Sequence, residues 1–276
     1  RQPRRDEIAT GKGAFEKGKL VIMINEGSAS ASEILSGAVQ DWDRGVIVGR
    51  RSFGKGLVQR PIPLQDESMI RLTVARYYTP TGRSIQKPYT SGDIVSYNKD
   101  VIDRYNRGEM MHADSIHFPD SLKYQTLVNK RIVYGGGGIM PDYFVPADTS
   151  NYSVYLANVV NRGIINKVAY GEVDNHRDEI KKKYLTKEDF YKDYNISDDI
   201  IKRLIAAGEE ENIEFDQEQF DKSRKMIEYQ IKGLIGRDVY DMETLIKIFN
   251  DHSSIFNKAY EIIKDDRQYN KLLGKK

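Results

Sequence analysis

Two short stretches carry residues able to do covalent chemistry. Gly27-Ser28-Ala29-Ser30-Ala31-Ser32-Glu33 is a run of small residues with three hydroxyls, and Ser52-Phe53-Gly54-Lys55-Gly56 sets one lysine between two glycines. A serine hydroxyl is a weak nucleophile at neutral pH and needs a base within hydrogen-bond reach. It also needs donors aimed at the oxyanion that develops on the attacked carbonyl. A serine at the start of a helix meets that second need, because the first-turn N–H groups are free and the helix dipole favours negative charge there. Ser28, Ser30 and Ser32 all qualify, and each could equally serve as a plain helix cap. A lysine acts as a base only when desolvation lowers its pKa from about 10.4 toward 7 or 8. The apolar Phe53 beside Lys55 is compatible with that, although a lone G-K-G also describes a surface lysine in a tight turn. It is not a phosphate loop, because the G-x-x-x-x-G-K-[ST] spacing is absent. None of His112, His117, His176 and His252 stands near the serine run or in a motif with a carboxylate.

The elements that must hold these stretches are legible from periodicity. Residues 1–18 read as a polar loop punctuated by Gly11, Gly13 and Gly18. Residues 19–25 form a short apolar run whose valine and isoleucine content predicts a buried strand. From 29 to 43 the spacing of Ile34, Leu35, Ala38, Val39 and Trp42 predicts a helix, and Val46-Ile47-Val48 resumes a strand. Such a strand-helix-strand unit builds a parallel sheet. Residues 57–64 and 69–78 read as two strands joined by the turn Gln65-Asp66-Glu67-Ser68, the second with one face more apolar than the other. A loop follows at 79–84, a helix over 94–105 and a strand at 132–134. The run Gly135-Gly136-Gly137-Gly138 reads as a loop where backbone meets backbone rather than as an anion site. Asp41 and Asp43 close the first helix, an end where the dipole disfavours carboxylates.

Beyond about residue 148 glycines thin out and helical spacing dominates. Amphipathic helices are predicted over 153–166, 172–184, 186–194, 197–207, 216–235, 239–250 and 253–265. Caps are expected at Thr186 with Asp189, Ser197 with Ile200 and Asp216 with Gln219. The charge runs Lys181-Lys182-Lys183 and Glu209-Glu210-Glu211 read as solvated helix faces. The expected organisation is therefore an α/β domain over 1–149, a mixed β-sheet with flanking helices, followed by a mostly α-helical extension over 150–276.

Composition narrows the chemistry. The chain has 276 residues with 43 basic and 41 acidic side chains, so no overall charge favours nucleic acid. It has no cysteine, which excludes a thiol nucleophile, a thiolate metal site and a disulfide. No His, Asp or Glu spacing matches a metal site, and no cofactor is expected. No apolar run approaches the roughly 20 residues needed to span a membrane. The opening Arg1-Gln2-Pro3-Arg4-Arg5 reads as the middle of something longer.

Five ordered blocks together resemble the carboxy-terminal processing (tail-specific) proteases. They are Asn25 through Ile34, Gln40-Asp41, Gly49 through Gly56 with Val58-Gln59, Tyr78-Thr79-Pro80-Thr81-Gly82-Arg83-Ser84-Ile85, and Gly137-Gly138-Ile139-Met140-Pro141-Asp142. The resemblance implies a crotonase-like core and a serine endopeptidase with a serine–lysine dyad. It singles out Ser30 as nucleophile, Lys55 as base and Gln59 as the residue that orients the lysine. The Ala31 N–H would then supply one oxyanion donor, and Asp41 would act through structure. By the same resemblance the substrates are proteins or peptides with accessible C-terminal ends, and the setting is the bacterial periplasm or cell envelope. The family's PDZ domain and the segment carrying its second oxyanion donor are expected upstream of residue 1, so this stretch alone is expected to be poorly active or inactive. A homo-oligomer is compatible with the sequence. Two other readings stand beside this one: a helical binding or scaffold module on an inactive protease-like core, and a crotonase-like enzyme acting on a thioester. The Ser30, Lys55 and Gln59 set disfavours both.

Overall fold

The computed structural model describes residues 8, 10, 11 and 13–275. Of the loop expected over 1–18, residues 1–7, 9 and 12 lie outside the described residues. The chain forms two compact units. One takes in the residues up to Pro146 together with those from Ala259 onward, and the other is Ala147–Lys258. The helical extension expected as a single piece from 150 to 276 is thus divided, its last residues joining the first unit.

In the first unit, strand β1 (Val21–Ile24) leads through a turn to helix α1 (Ala31–Asp41) and back to strand β2 (Val46–Gly49). β1 and β2 pair in parallel, with α1 as the crossover that a parallel pair needs. β2 is buried along its whole length. Gly49 has φ +130°, and an added Cβ would stand 1.9 Å from the Ile24 carbonyl oxygen, so only glycine fits there. Strand β3 (Leu57–Pro63) and strand β4 (Met69–Arg76) form an antiparallel hairpin with a bulge between Val58 and Gln59. The more apolar face predicted for the second strand is not buried. Every residue of β4 is exposed, because among the described residues the hairpin is a sheet of two strands with no third strand beside it.

Helix α2 (Ile94–Asn106) is followed by two short strands that alternation did not reveal. Strand β5 (Lys123–Gln125) pairs antiparallel with strand β6 (Ile132–Tyr134), and strand β7 (Tyr143–Phe144) adds to β2 in parallel. At two and three residues, β7 and β5 are too short to show a period. A small core of Ile24, Ile47, Ile85 and Ile139 lies under this sheet.

The second unit is helical: α3 (Val154–Asn161), α4 (Ile164–Lys183), α5 (Lys187–Asp193), α6 (Asp198–Glu210), α7 (Gln217–Val239) and α8 (Met242–Asp251). Helix α9 (Ser254–Lys264) straddles the division, and α10 (Asp266–Leu272) belongs to the first unit. The break predicted between 166 and 172 falls instead at Gly163, whose left-handed backbone (φ +70°) ends α3 and lets α4 start. The expected caps are present. Thr186 and Asp189 form a capping box, Ser197 accepts the Ile200 N–H, and Asp216 accepts the Gln219 N–H. Phe190, Leu204, Ile227, Ile231 and Ile235 centre the core of this unit.

Candidate active site

The turn after β1 separates the three serines. Ser28 Oγ accepts the Asn25 N–H at 3.1 Å, and the Ser28 N–H donates to the Asn25 carbonyl at 2.9 Å, so Ser28 is spent on the turn itself. Ser32 lies exposed in the first turn of α1. Ser30 is the N-cap and has φ 55°, ψ −114°, a conformation that a residue with a Cβ rarely adopts. Such backbone costs on the order of 1–3 kcal/mol and persists only where the surroundings enforce it. A strained serine on a sharp strand-to-helix turn is also how hydrolases lift a nucleophile clear of its sheet. The Ala31 N–H, next in the chain at the open end of the helix, has no hydrogen bond among the described residues.

What enforces the turn is Glu33, a fully buried carboxylate. Its Oε2 accepts the Ser30 N–H at 3.0 Å and the Lys55 N–H at 2.8 Å. Its Oε1 accepts the Gly54 N–H at 2.7 Å and the Ser52 hydroxyl at 2.5 Å. Four donors satisfy the buried charge, and charge-assisted bonds of this kind are the strong ones. One carboxylate therefore holds the serine turn and the lysine loop together through their backbones. The Phe53 N–H adds a direct bond to the Ser28 carbonyl at 2.9 Å. The reading of the sequence passed over Glu33. The signal was there, because Ser30-x-x-Glu33 has the spacing of a capping box.

The lysine loop is also held from behind. Ser52 Oγ accepts the Ile139 N–H at 2.7 Å, and Arg104 of α2 donates to the carbonyls of Ser52 and Arg51 at 3.0 and 2.7 Å. The glycine run packs here as expected. Gly138 has φ +87°, and a Cβ on it would stand 2.7 Å from the Ser52 carbonyl oxygen. Burial, then the nearby Arg104 charge, lowers the Arg51 guanidinium to about 10. In the serine turn, burial is the largest single influence on the Glu26 carboxyl and pushes it up, but the Arg50 hydrogen bond, a backbone hydrogen bond and the Arg50 and Arg104 charges together hold it below the usual glutamate range.

The Lys55 side chain lines a cavity of about 730 Å³ together with Ala29, Phe53, Leu57, Gln59 and Tyr97. No carboxylate among the described residues forms an ion pair with Lys55. Gln59 is exposed on β3, directly after the bulge, and donates to Thr73 Oγ1 at 3.4 Å. The structure thus gathers Lys55, Gln59 and Ala29 around one cavity. Ser30 is not among its lining residues but adjoins it through Ala29.

Asp41 lies at the far end of α1, about 15 Å along the helix axis from its start. Its carboxylate pairs with Arg83 at 2.8 Å, both side chains fully buried, and accepts the Thr81 N–H and hydroxyl at 3.0 and 2.8 Å. Asp43 likewise pairs with Arg131 at 2.7 Å. These partners explain two carboxylates where the dipole alone disfavours them. Asp41→Asn keeps the shape but leaves Arg83 buried without its counter-charge, so a loss of about 3 kcal/mol in unfolding free energy is expected. A urea melt that is unchanged would contradict this. Among the described residues no group of His, Asp and Glu could hold a metal ion, and no helix is long and apolar enough to cross a membrane.

Residues 1–96 match Peptidase family S41, and residues 155–241 match a family of unknown function. A carboxy-terminal-processing protease of Bartonella bacilliformis is 55% identical over 76 residues, which cover 28% of this chain and 18% of the relative. A chloroplastic C-terminal processing peptidase of Tetradesmus obliquus is 48% identical over 86 residues, covering 31% of this chain and 18% of the relative. Among solved structures, a photosystem II D1 C-terminal processing protease shares 53% identity over 25% of this chain and 18% of its own, with a TM-score of 0.24. The chain spans about a fifth of the length of the curated relatives it matches.

Proposed function

We propose that this chain, whose residues 1–96 match Peptidase family S41, carries the nucleophile and the base of a serine endopeptidase. The observation that carries the reading is the buried Glu33 carboxylate, which binds the backbone N–H groups of both Ser30 and Lys55. A link between two loops 25 positions apart is costly to build into a core, and it serves to fix one residue against the other.

In this mechanism neutral Lys55 takes the Ser30 proton as Oγ attacks the peptide carbonyl. The Ala31 N–H donates to the oxyanion, with a second donor from the segment expected upstream. As the intermediate collapses, Lys55 protonates the leaving amine and an ester on Ser30 remains. Lys55 then deprotonates a water that hydrolyses the ester. Gln59 orients Lys55, and Asp41 supports α1 from its far end. Substrates are proteins with accessible C-terminal ends, and the upstream part supplies a PDZ domain that binds those ends. The sheet is read as part of a crotonase-like core, and the site of action as the periplasm or cell envelope.

The test is an assay of cleavage by the peptidase that contains this chain, using a peptide with a free apolar C-terminal end. Cleavage is expected to stop on treatment with a peptidyl phosphonate and to persist with a metal chelator. Persistence in the phosphonate, or loss in the chelator, would contradict the proposal.

A further inference from the structure

Helix α2 buries one side chain, and that side chain is an arginine. The large apolar residues Ile94, Val95, Ile102 and Tyr105 of the same helix are exposed, so burial of an apolar face does not hold it. What holds it is a polar face of Tyr97, Asp100 and Arg104, spaced three and four residues apart. Lys87 Nζ donates to the Tyr97 carbonyl at 2.9 Å and to Asp100 at 3.1 Å. The same ammonium lies 3.9 Å from the Phe53 ring centre and 4.2 Å from that of Tyr97. The Lys87 N–H in turn donates to the Gly54 carbonyl at 2.9 Å. Arg104, 2% exposed, donates to the Ser52 and Arg51 carbonyls at 3.0 and 2.7 Å. Both sets of contacts end on the lysine loop or on the residue just before it.

Stability alone does not account for a buried guanidinium here. Its counter-charge is the buried Glu109, whose Oε2 lies 3.4 Å from Arg104 Nε and 2.9 Å from Arg51 Nη2. Glu109 Oε1 also accepts from Arg107 at 2.9 Å, so one carboxylate serves three arginines. A buried ionic group of this kind commonly stabilises a fold no better than a well-packed apolar side chain. A guanidinium does supply geometry, because its planar fork can fix two successive carbonyls at once. The lysine loop needs that help. Gly54, at φ +91°, and Gly56 flank Lys55, so the backbone does not stiffen itself. From Ser52 the bonds continue through its hydroxyl to Glu33, and Glu33 holds the Gly54, Lys55 and Ser30 N–H groups.

We infer that Arg104 is a positioning residue: by fixing the Arg51 and Ser52 carbonyls it sets the Lys55 loop against Ser30. Its effect on rate rests on the proposed peptidase reading, whereas its hold on the loop does not. Arg104 lies beyond residues 1–96, the stretch that matches the peptidase family, so it is supplied to the site from outside that stretch.

The test uses the peptidase that contains this chain, with Arg104→Met and Arg104→Lys, each alone and combined with Lys55→Ala. Labelling by a peptidyl phosphonate gives two readings, since its final extent counts folded sites and its rate reports the dyad. Arg104→Met is expected to slow both labelling and kcat by about 10²-fold, with complete final labelling and KM within about twofold of the parent. Arg104→Lys, which keeps the charge and loses the fork, is expected to fall between the two. With Lys55 absent, Arg104→Met should slow labelling by no more than about threefold, because a residue that acts through the base has nothing left to position. An unchanged rate, an undiminished effect in the Lys55→Ala background, or failure of both Arg104 variants to fold would overturn the inference. Amide hydrogen exchange separates it from the peptidase reading. Exchange at the Gly54 and Lys55 amides is expected to quicken in Arg104→Met, and unchanged exchange there would overturn the inference. Labelling of Lys55→Ala at the parental rate, alongside that quickened exchange, would support the hold on the loop and count against Lys55 as base.

Discussion

Ser30→Ala is expected to abolish cleavage in the peptidase that contains this chain, lowering kcat by ~10⁴-fold or more. The variant keeps a Cβ at φ 55°, so the strain of the turn is unchanged, and the Ser30 N–H still reaches Glu33. Stability should therefore stay within about 0.5 kcal/mol of the parent. Lys55→Ala is expected to lose activity to a similar extent, because a serine hydroxyl without a base is a weak nucleophile. Lys55→Arg should not restore it, since a guanidinium stays charged and cannot accept the proton. The double variant should be no worse than either single one, as holds for groups that act as a unit. Steady-state kinetics on one peptide settle these points together. Substantial activity in either single variant would contradict the dyad.

Glu33→Gln is expected to damage both the fold and the rate. The carboxylate accepts four donors, two on each oxygen. A glutamine side chain has one accepting oxygen and one donating NH₂, and of the four donors only the Ser52 hydroxyl can turn to accept, so whichever way the amide turns at least one backbone N–H faces a donor. Leaving a buried donor unpaired costs roughly 1–3 kcal/mol, and a loss of about 2–3 kcal/mol is expected. Without that clamp the strained Ser30 turn can relax away from the lysine loop. Displacement of about 1 Å at a reacting centre costs on the order of 10²-fold in rate. The prediction is a large drop in melting temperature and, below that temperature, a kcat reduced by about two orders of magnitude or more. A Glu33→Gln variant with parental stability would show that the four-donor clamp does not hold the site.

Much of this was readable in the residues, and what was missed has physical causes. The apolar run before the serines and the 3- and 4-residue spacing after them located β1 and α1, because burial imposes those periods. Spacing alone left Ser28, Ser30 and Ser32 equivalent. The backbone separates them: Ser28 closes the turn, and Ser30 takes the strained position. Glu33 escaped notice because a glutamate in a first helical turn ordinarily answers the dipole and faces water. Only the fold shows that its partners lie 19 to 22 positions ahead. The Asp41–Arg83 and Asp43–Arg131 pairs are of the same kind, since sequence shows the carboxylates and not their distant partners.

The exposed apolar strand β4 shows a different limit. Alternation predicts that a strand has one face suited to burial, and it does not say that a partner is present. The return of residues from Ala259 onward to the first unit was equally hidden. An amphipathic helix such as α9 or α10 reports that it packs, and periodicity is silent on what it packs against. Nothing in the sequence around Lys87 marks its contacts with Phe53, Tyr97 and Asp100.

The central claim is that Ser30 is a nucleophile activated by Lys55. Its most direct test is mass spectrometry of the peptidase that contains this chain after reaction with a peptidyl phosphonate, followed by mapping of the modified residue. A single adduct on Ser30, absent from Ser30→Ala and strongly slowed in Lys55→Ala, is the predicted result. An adduct on Ser28, Ser32 or any other residue, or labelling of Ser30 at an unchanged rate in Lys55→Ala, would contradict the account.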